Sequence, residues 1–423
     1  MTRWLSQTSG FWFSVYATVA AFCLYTCIFA FRKTYTVGTY EGLVYLGINY
    51  KVWLVIAQMV GYGLAKFIGI KTISELKANA RVRGILIMIT IAGLSWLFFA
   101  IVPAPYNIIF LFTNGLPLGM GWGLVFAYLE GRRFTEVLGA GVSVSFIFGS
   151  GFSKSVGGFV MKLWGVSEYW MPFVSTCLFI VPLLCFLWML DKLPAPSQLD
   201  ESLRTKRQPM NSLERKKFIL TFAPGLILLI VTYMLLTAFR DFRDNFSAEV
   251  WQSLGYGNSP EIFTGTEIPI TIAILVIIGS IMFIRNNRTA FIINHILILI
   301  GMVSVGLATW FFDRGVISAP VWMVFLGFGL YMGYVPFNSI LFDRMIATFK
   351  YVGTVGFLIY LADAFGYLGS IGVMLFKEWG RAQLSWAEFF VDAGYVMAIA
   401  GSVLVIASML YFYRKHKNWV YPA

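Results

Sequence analysis

From Phe11 to Phe31 the chain runs for 21 residues without a charge, sets Arg32 and Lys33 side by side, and stays uncharged again until Glu41. A helix of roughly 20 apolar residues crosses the hydrocarbon core of a bilayer. Runs of this kind recur near 11–31, 48–70, 84–102, 107–129, 137–161, 169–190, 218–239, 264–284, 289–312, 318–342, 351–376 and 389–413, which predicts twelve spanning helices. The first run is longer than a signal-peptide core and no small-residue cleavage site ends it, so it counts as the first helix.

The one long polar segment, Asp191 to Lys217, is rich in Pro, Ser and charge and divides six runs from six. The expected organisation is an N-terminal bundle 1–190, a cytoplasmic linker 191–217 and a C-terminal bundle 218–423. This is an all-α membrane protein with two pseudo-symmetric six-helix bundles, the pattern of a duplicated transporter.

Composition agrees: 59% of residues are hydrophobic and 12% charged, and the mean hydropathy is +0.76. Such a chain is no soluble domain. Its net charge of +12 does not point to nucleic acid, because Lys and Arg sit in short loops between the runs. Lys71, Lys77, Arg81, Arg83, Arg132, Arg133, Arg204, Lys206, Arg207, Arg285, Arg288, Arg344 and Lys350 fall in alternate loops, and Arg414, Lys415 and Lys417 follow the last run. By the positive-inside rule that side, with both termini, is cytoplasmic. Cys23, Cys27, Cys177 and Cys185 lie within apolar runs without CxxC spacing and read as packing residues.

An internal repeat supports the division. Leu118 to Trp122, LGMGW, is followed by LEGRR with Glu130 and Arg132; Leu330 to Tyr334, LYMGY, is followed by LFDRM with Asp343 and Arg344. Each acid–arginine pair is expected to end its helix. Gly139 to Phe146, GAGVSVSF, then opens the fifth run as Gly353 to Tyr360, GTVGFLIY, opens the eleventh; small residues there let helices approach closely. Arg32 stands 21 residues after Phe11, and Arg240 stands 22 after Phe218. The two arginines are repeat mates, and in a parallel duplication such mates face a central cavity. Both helices are expected to run on past their arginine, through TYTVGTY and through Phe246, which sets the cations inside the membrane rather than at a snorkelling end.

Five short stretches now fall into order: FRK at 31–33, GYGLAKFIG at 61–69 with Lys66, GMGW at 119–122, Arg240, and FGYLG at 365–369. Together they resemble the major facilitator superfamily, and within it the organophosphate:phosphate antiporters, which include the bacterial glycerol-3-phosphate and hexose-phosphate transporters. The resemblance implies an inner-membrane antiporter, monomeric, exchanging a small phosphorylated anion for inorganic phosphate without a cofactor. It departs in the fifth helix, where the family's histidine is replaced by Gly149 or Ser150 and Lys154 follows. Glu75 replaces the family's acid between helices 2 and 3, and the eleventh run carries an extra acid, Asp363.

A phosphate dianion leaving water needs charge and donors to replace its hydration. Arginine supplies both, since its planar fork gives two parallel bonds to two oxygens. Arg32 and Arg240 are therefore the candidate anion ligands. Lys33 points roughly 100° from Arg32 on a helix, toward the cavity edge or an acid. Lys66 guides the anion or snorkels. Lys154, far from any other charge in its run, would cost roughly 2.5–3.5 kcal/mol against lipid, so it faces the protein as a third anion ligand or as the partner of Asp363. Tyr25 and Tyr35, seven residues before and three after Arg32, lie near its helix face and are candidate hydroxyl donors or packing residues. His295 and His416 read as incidental, and no nucleotide or metalloprotease motif is present.

Two other functions fit the same residues. One is a proton-coupled carrier of another anion with Asp363 as the titrating acid; the other is a transporter-like receptor for a phosphorylated metabolite. Orientation is directly testable: reporter fusions at Ser197 and after Tyr421 are expected to report cytoplasm, and an external signal at either overturns the assignment.

Overall fold

The computed structural model describes residues 2–74, 80–129, 135–194, 212–281, 283–351 and 355–419. Glu75, Lys77, Glu130, Arg132, Arg133, Ser197, Arg204, Lys206, Arg207, Gly353 and Tyr421 lie outside them. Twelve long helical elements follow one another: α1 Gly10–Lys33, α2 Tyr50–Ser74, α3 Arg81–Ile101, α4 Ile108–Phe126, α5 Thr135–Trp164, α6 Met171–Asp191, α7 Ser212–Asn245, α8 Glu261–Ile281, α9 Asn287–Asp313, α10 Ala319–Ser339, α11 Val355–Gly380 and α12 Trp386–Lys417. Ten of these contain, among the described residues, a stretch long and apolar enough to cross a membrane; α2 and α5 complete the twelve.

Element ends depart from the sequence pattern in instructive ways. α7 extends beyond its apolar run at both ends, so Arg240 sits inside the helix, as expected, five residues before its end at Asn245. α1 does not continue past its cation pair: it stops at Lys33 and tightens into a 3₁₀ turn, Thr34–Val37. α4 is interrupted after Leu118, where Pro117 and Gly119 weaken the helix, and resumes at Gly121. α10 ends at Ser339 because Ile340 leaves helical geometry (φ −131°, ψ −34°); Asp343 and Arg344 belong to a separate amphipathic helix, Leu341–Phe349, and do not end α10. The sequence pattern predicts no strand, yet Val44–Tyr45 pairs antiparallel with Ile48–Asn49. Its two-residue turn takes Leu46 to φ 54° and Gly47 to φ 73°, the left-handed pair such a hairpin needs.

The chain divides into two compact units. The first holds Met1–Arg204, Asp244–Thr271 and Glu378–Ala382; the second holds Thr205–Arg243, Ile272–Lys377 and Gln383–Ala423. In the first, α1 buries Ala17, Ala20, Ala21 and Leu24 against apolar residues of α3, α4, α5 and α6. Gly141, Gly149 and Gly157 recur along α5. A Cβ on them would press on Thr18, on Phe29 and Thr26, and on Thr34, so the small residues admit α1. Gly149, one of the two residues at which the resemblance expects a histidine, is thus a packing position: a Cβ there would lie 3.2 Å from Phe29 Cβ.

α2 and α4 approach as closely. A Cβ at Gly115 would collide with the carbonyl of Gln58, and one at Gly61 with that of Phe112. Gly115→Ala is therefore expected to destabilise the detergent-solubilised protein by roughly 1–3 kcal/mol, read as a lower thermal midpoint. Gly279→Ala, on α8, meets nothing within 4 Å and serves as the control. Equal midpoints for the two variants would mean that α2 and α4 are not in backbone contact.

Candidate functional site

Arg32 is held through its backbone. Where α1 gives way to the 3₁₀ turn, carbonyls lose their helical partners and must find others. Gln58 Nε2 of α2 donates to the Arg32 carbonyl (2.9 Å), and Trp96 Nε1 of α3 (2.7 Å) and Asn114 Nδ2 of α4 (3.2 Å) donate to that of Phe31. Gln58 in turn donates to Asn114 Oδ1 at 2.8 Å. Three helices thereby fix the height and turn of α1 at its arginine. The half-buried guanidinium lies over the Tyr62 ring, with Cζ 3.8 Å from the centroid, and Lys66 Nζ is 5.6 Å from the same centroid. Tyr25 is buried and hydrogen-bonded to Tyr62. Tyr25, Arg32 and Lys66 are thus brought together, around a tyrosine that was not singled out although GYGLAKFIG contains it.

Lys33 and Lys154 meet elsewhere in the same unit, on Asp244. Lys33 Nζ is 2.7 Å from Asp244 Oδ2 and 2.6 Å from Asn245 Oδ1; Lys154 Nζ is 2.7 Å from Asp244 Oδ1, which Ser150 also approaches. Side-chain exposures of 3%, 5% and 11% for Lys33, Lys154 and Asp244 leave little room for water, so the carboxylate is what makes the two ammoniums tolerable there. Of the alternatives open for Lys33, the acid is the one observed. For Lys154 the expected partner Asp363 is replaced by Asp244. A second ion pair joins fully buried Lys51 to Glu249 (2.6 Å), with the Thr36 carbonyl also accepting from Lys51 at 2.7 Å. Burial pushes the Glu249 carboxyl above its ordinary range, and the Lys51 charge opposes that shift.

In the second unit Arg240 is clamped from two sides. Its Nε and Nη2 donate to Asp241 Oδ1 at 3.1 and 2.6 Å, and its Nη1 donates to the Tyr334 hydroxyl, with Cζ 4.4 Å from that ring's centroid. Ser370 Oγ donates to the other oxygen of Asp241 at 2.8 Å. Three of the five N–H groups of a guanidinium are so used, and two remain for a ligand. Asp363, buried on α11, accepts the Tyr233 hydroxyl at 2.6 Å.

Tyr35 departs from its expected place. The three-residue spacing to Arg32 holds only on an α-helix, and α1 ends between them; Tyr35 lies in the 3₁₀ turn, fully buried, its ring 5.4 Å from that of Trp96. It packs the connection. Asp241 and Asp244 were also missed, although the sequence carries their signal: in RDFRD both acids fall within one turn of an arginine inside a spanning helix, where an ion must have a partner.

A model of a family of unknown function, DUF5690, matches residues 34–415. The chain belongs to that family. None of the curated proteins matches the DUF5690 chain by sequence. Among solved structures it is similar to a D-xylose–proton symporter (16% identity, TM-score 0.61, covering 95% of this chain and 97% of that one). It is also similar to a bacterial homologue of the human lysosomal transporter Spinster, inward-facing and unoccupied (11%, 0.60, 97% and 99%), and to a mutant of the nucleoside transporter NupG (14%, 0.59, 94% and 99%). The DUF5690 chain therefore has the all-α membrane fold of these transporters and is an integral membrane protein.

The Asp244 cluster makes a ranked prediction. Asp244→Asn strips both Lys33 and Lys154 of their carboxylate, whereas Lys154→Gln leaves the Lys33–Asp244 pair in place. Breaking a buried pair costs roughly 3–5 kcal/mol. Asp244→Asn is expected to melt well below Lys154→Gln, and combining the two to recover part of the loss. Additive losses would show that the ammonium and carboxylate do not interact.

Proposed function

We propose that the protein is a secondary active transporter that moves a small phosphorylated metabolite in exchange for inorganic phosphate by alternating access. The observation that carries the reading is that each unit sets an arginine against a tyrosine ring within a spanning helix: Arg32 on Tyr62 and Arg240 on Tyr334. Stacking on a ring leaves the planar edge of a guanidinium for an oxyanion, and a flanking hydroxyl adds a donor. As repeat mates, Arg32 and Arg240 suit a mechanism in which each repeat contributes an arginine to anion transport. Lys66 and Tyr25 add charge and a hydroxyl to the Arg32 group. Lys33 and Lys154 serve the fold through Asp244.

A D-xylose–proton symporter and a nucleoside transporter among the neighbours support a small-molecule cargo for this fold. The preference for phosphate rests on the arginines and on the sequence resemblance. An inner-membrane location and a monomeric carrier belong to the same reading.

The test is substitution by lysine. A lysine keeps the charge but is a point donor, so it cannot hold two oxygens at once; at position 240 it also cannot bond Asp241 and Tyr334 as the fork does. Arg32→Lys and Arg240→Lys are each expected to lose roughly 2–5 kcal/mol of binding, about thirtyfold or more in affinity, for three- to six-carbon phosphorylated ligands measured by calorimetry on folded protein. In proteoliposomes loaded with inorganic phosphate, both should also fail in exchange. Near-equal affinities across wild type and the two variants would remove the two-arginine site.

A further inference from the structure

Residues next to each other on a helix point about 100° apart and do not face one another. Arg240 and Asp241 pair all the same, because the guanidinium turns back on its stem: Nε and Nη2 both donate to Asp241 Oδ1, at 3.1 and 2.6 Å. The acid is the fixed member. Ser370 Oγ of α11 donates to its other oxygen at 2.8 Å, and the Asp241 side chain is 5% exposed against 15% for that of Arg240. Glycines put Ser370 there. In FGYLGS, Phe365 to Ser370, a Cβ at Gly366 would lie 3.0 Å from Thr237 and one at Gly369 would collide with Met234, so α11 closes on α7 only with both.

The pairing decides how the arginine meets a ligand. A guanidinium holds two oxygens along either of two edges, Nε–Nη2 or Nη1–Nη2. Asp241 takes the first, and the second N–H of Nη2 then points along the other edge, beside Nη1 and the Tyr334 hydroxyl to which Nη1 donates. The pairing also decides how strongly a ligand is held. Arg240 and Asp241 together carry no net charge, so an oxyanion on the open edge is drawn by local hydrogen bonds while Asp241, on the far side of the guanidinium, repels it. A carrier needs that balance, since an anion held by an uncompensated buried arginine would bind and not leave.

We propose that Asp241 is a positioning residue of the Arg240 anion site, turning the Nη1–Nη2 edge to an oxyanion and weakening its hold enough for the anion to be released. This role of Asp241 rests on the phosphate-type reading of Arg240 and adds to it a part in turnover. The Ser370 contact allows the two effects to be separated. In Asp241→Asn, Oδ1 still accepts from Arg240, the amide Nδ2 donates to Ser370 Oγ, and the serine proton goes to the Gly366 carbonyl, which Ser370 already faces at 3.1 Å. Geometry is kept and only the charge goes. Ser370→Ala does the reverse: the charge stays and the acid loses its tether.

The experiment is calorimetric titration of the full chain in detergent with inorganic phosphate, together with phosphate exchange in proteoliposomes, for wild type, Asp241→Asn, Asp241→Glu and Ser370→Ala. Asp241→Asn is expected to bind phosphate with about tenfold or greater affinity and to exchange it more slowly, KM and maximal rate falling together. Asp241→Glu, which restores the charge, should move both back toward wild type, and Ser370→Ala should weaken binding severalfold. A counter-ion that serves only folding gives a different pattern: Asp241→Asn would lower the thermal midpoint, and the folded fraction would bind and exchange as wild type does. That result, weaker binding in Asp241→Asn, or tighter binding without slower exchange overturns the proposal and leaves the anion site standing. Should Asp241→Asn not fold, Ser370→Ala decides: unchanged phosphate affinity there overturns the positioning role. Absence of phosphate binding to wild type removes the reading of Arg240 itself, and the role of Asp241 with it.

Discussion

An ion buried in a membrane-spanning bundle must have its charge answered by protein, since no water is at hand to do it. Among the described residues, that constraint governs where Lys33, Lys51, Lys154 and Arg240 are found. Lys33 and Lys154 share Asp244, Lys51 takes Glu249, and Arg240 takes Asp241. Each pairing also fixes backbone. Asp244 and Glu249 lie at and just beyond the end of α7, and their partners on α1, α2 and α5 tie that stretch into the first unit. Electrostatic necessity thus does structural work that apolar packing, with its many equivalent arrangements, would not specify.

The same logic applies to uncharged polar groups. Ending α1 at Lys33 strands carbonyls in an apolar setting, and the side chains of Gln58, Trp96 and Asn114 are spent on receiving them. Their effect is to hold Arg32 against Tyr62, and they can do so only because Gly61 and Gly115 bring α2 and α4 into backbone contact. Placement of one guanidinium therefore draws on polar residues and glycines from three helices.

Most of the fold was legible in the sequence because the bilayer imposes a length and a composition on each span. The twelve runs follow from that rule, and each is matched by a long helical element among the described residues. Legibility stopped where helix ends depend on more than hydropathy: α1 stops early, α7 runs on, and Asp343 and Arg344 fall on a separate helix. The site was legible by type rather than by pairing. Hydropathy shows that Lys154 needs a partner but not which acid, since Asp244 and Asp363 are both acids within spans and only the packing of α5 chooses between them. For Tyr35 the packing alternative is the one observed, because helical spacing from Arg32 does not extend past the end of α1 at Lys33.

The repeat clarifies why Arg32 and Arg240 share an environment without sharing a construction. Arg32 stacks on Tyr62 of α2, whereas Arg240 stacks on Tyr334 of α10, whose own repeat mate is Trp122. Trp122 stacks instead on Phe126 with centroids 4.7 Å apart. Simple inheritance from a duplicated ancestor would place the stacking tyrosine at matching positions, and it does not. Arginine is fixed by the repeat, while the ring that faces it comes from a different helix in each unit. What the two units have in common is therefore a chemical condition, a guanidinium with one face covered by an aromatic ring inside a spanning helix. A condition met by two separate routes is what the proposed anion site would require of both units, since a planar cation with one face covered leaves its edge for an oxyanion.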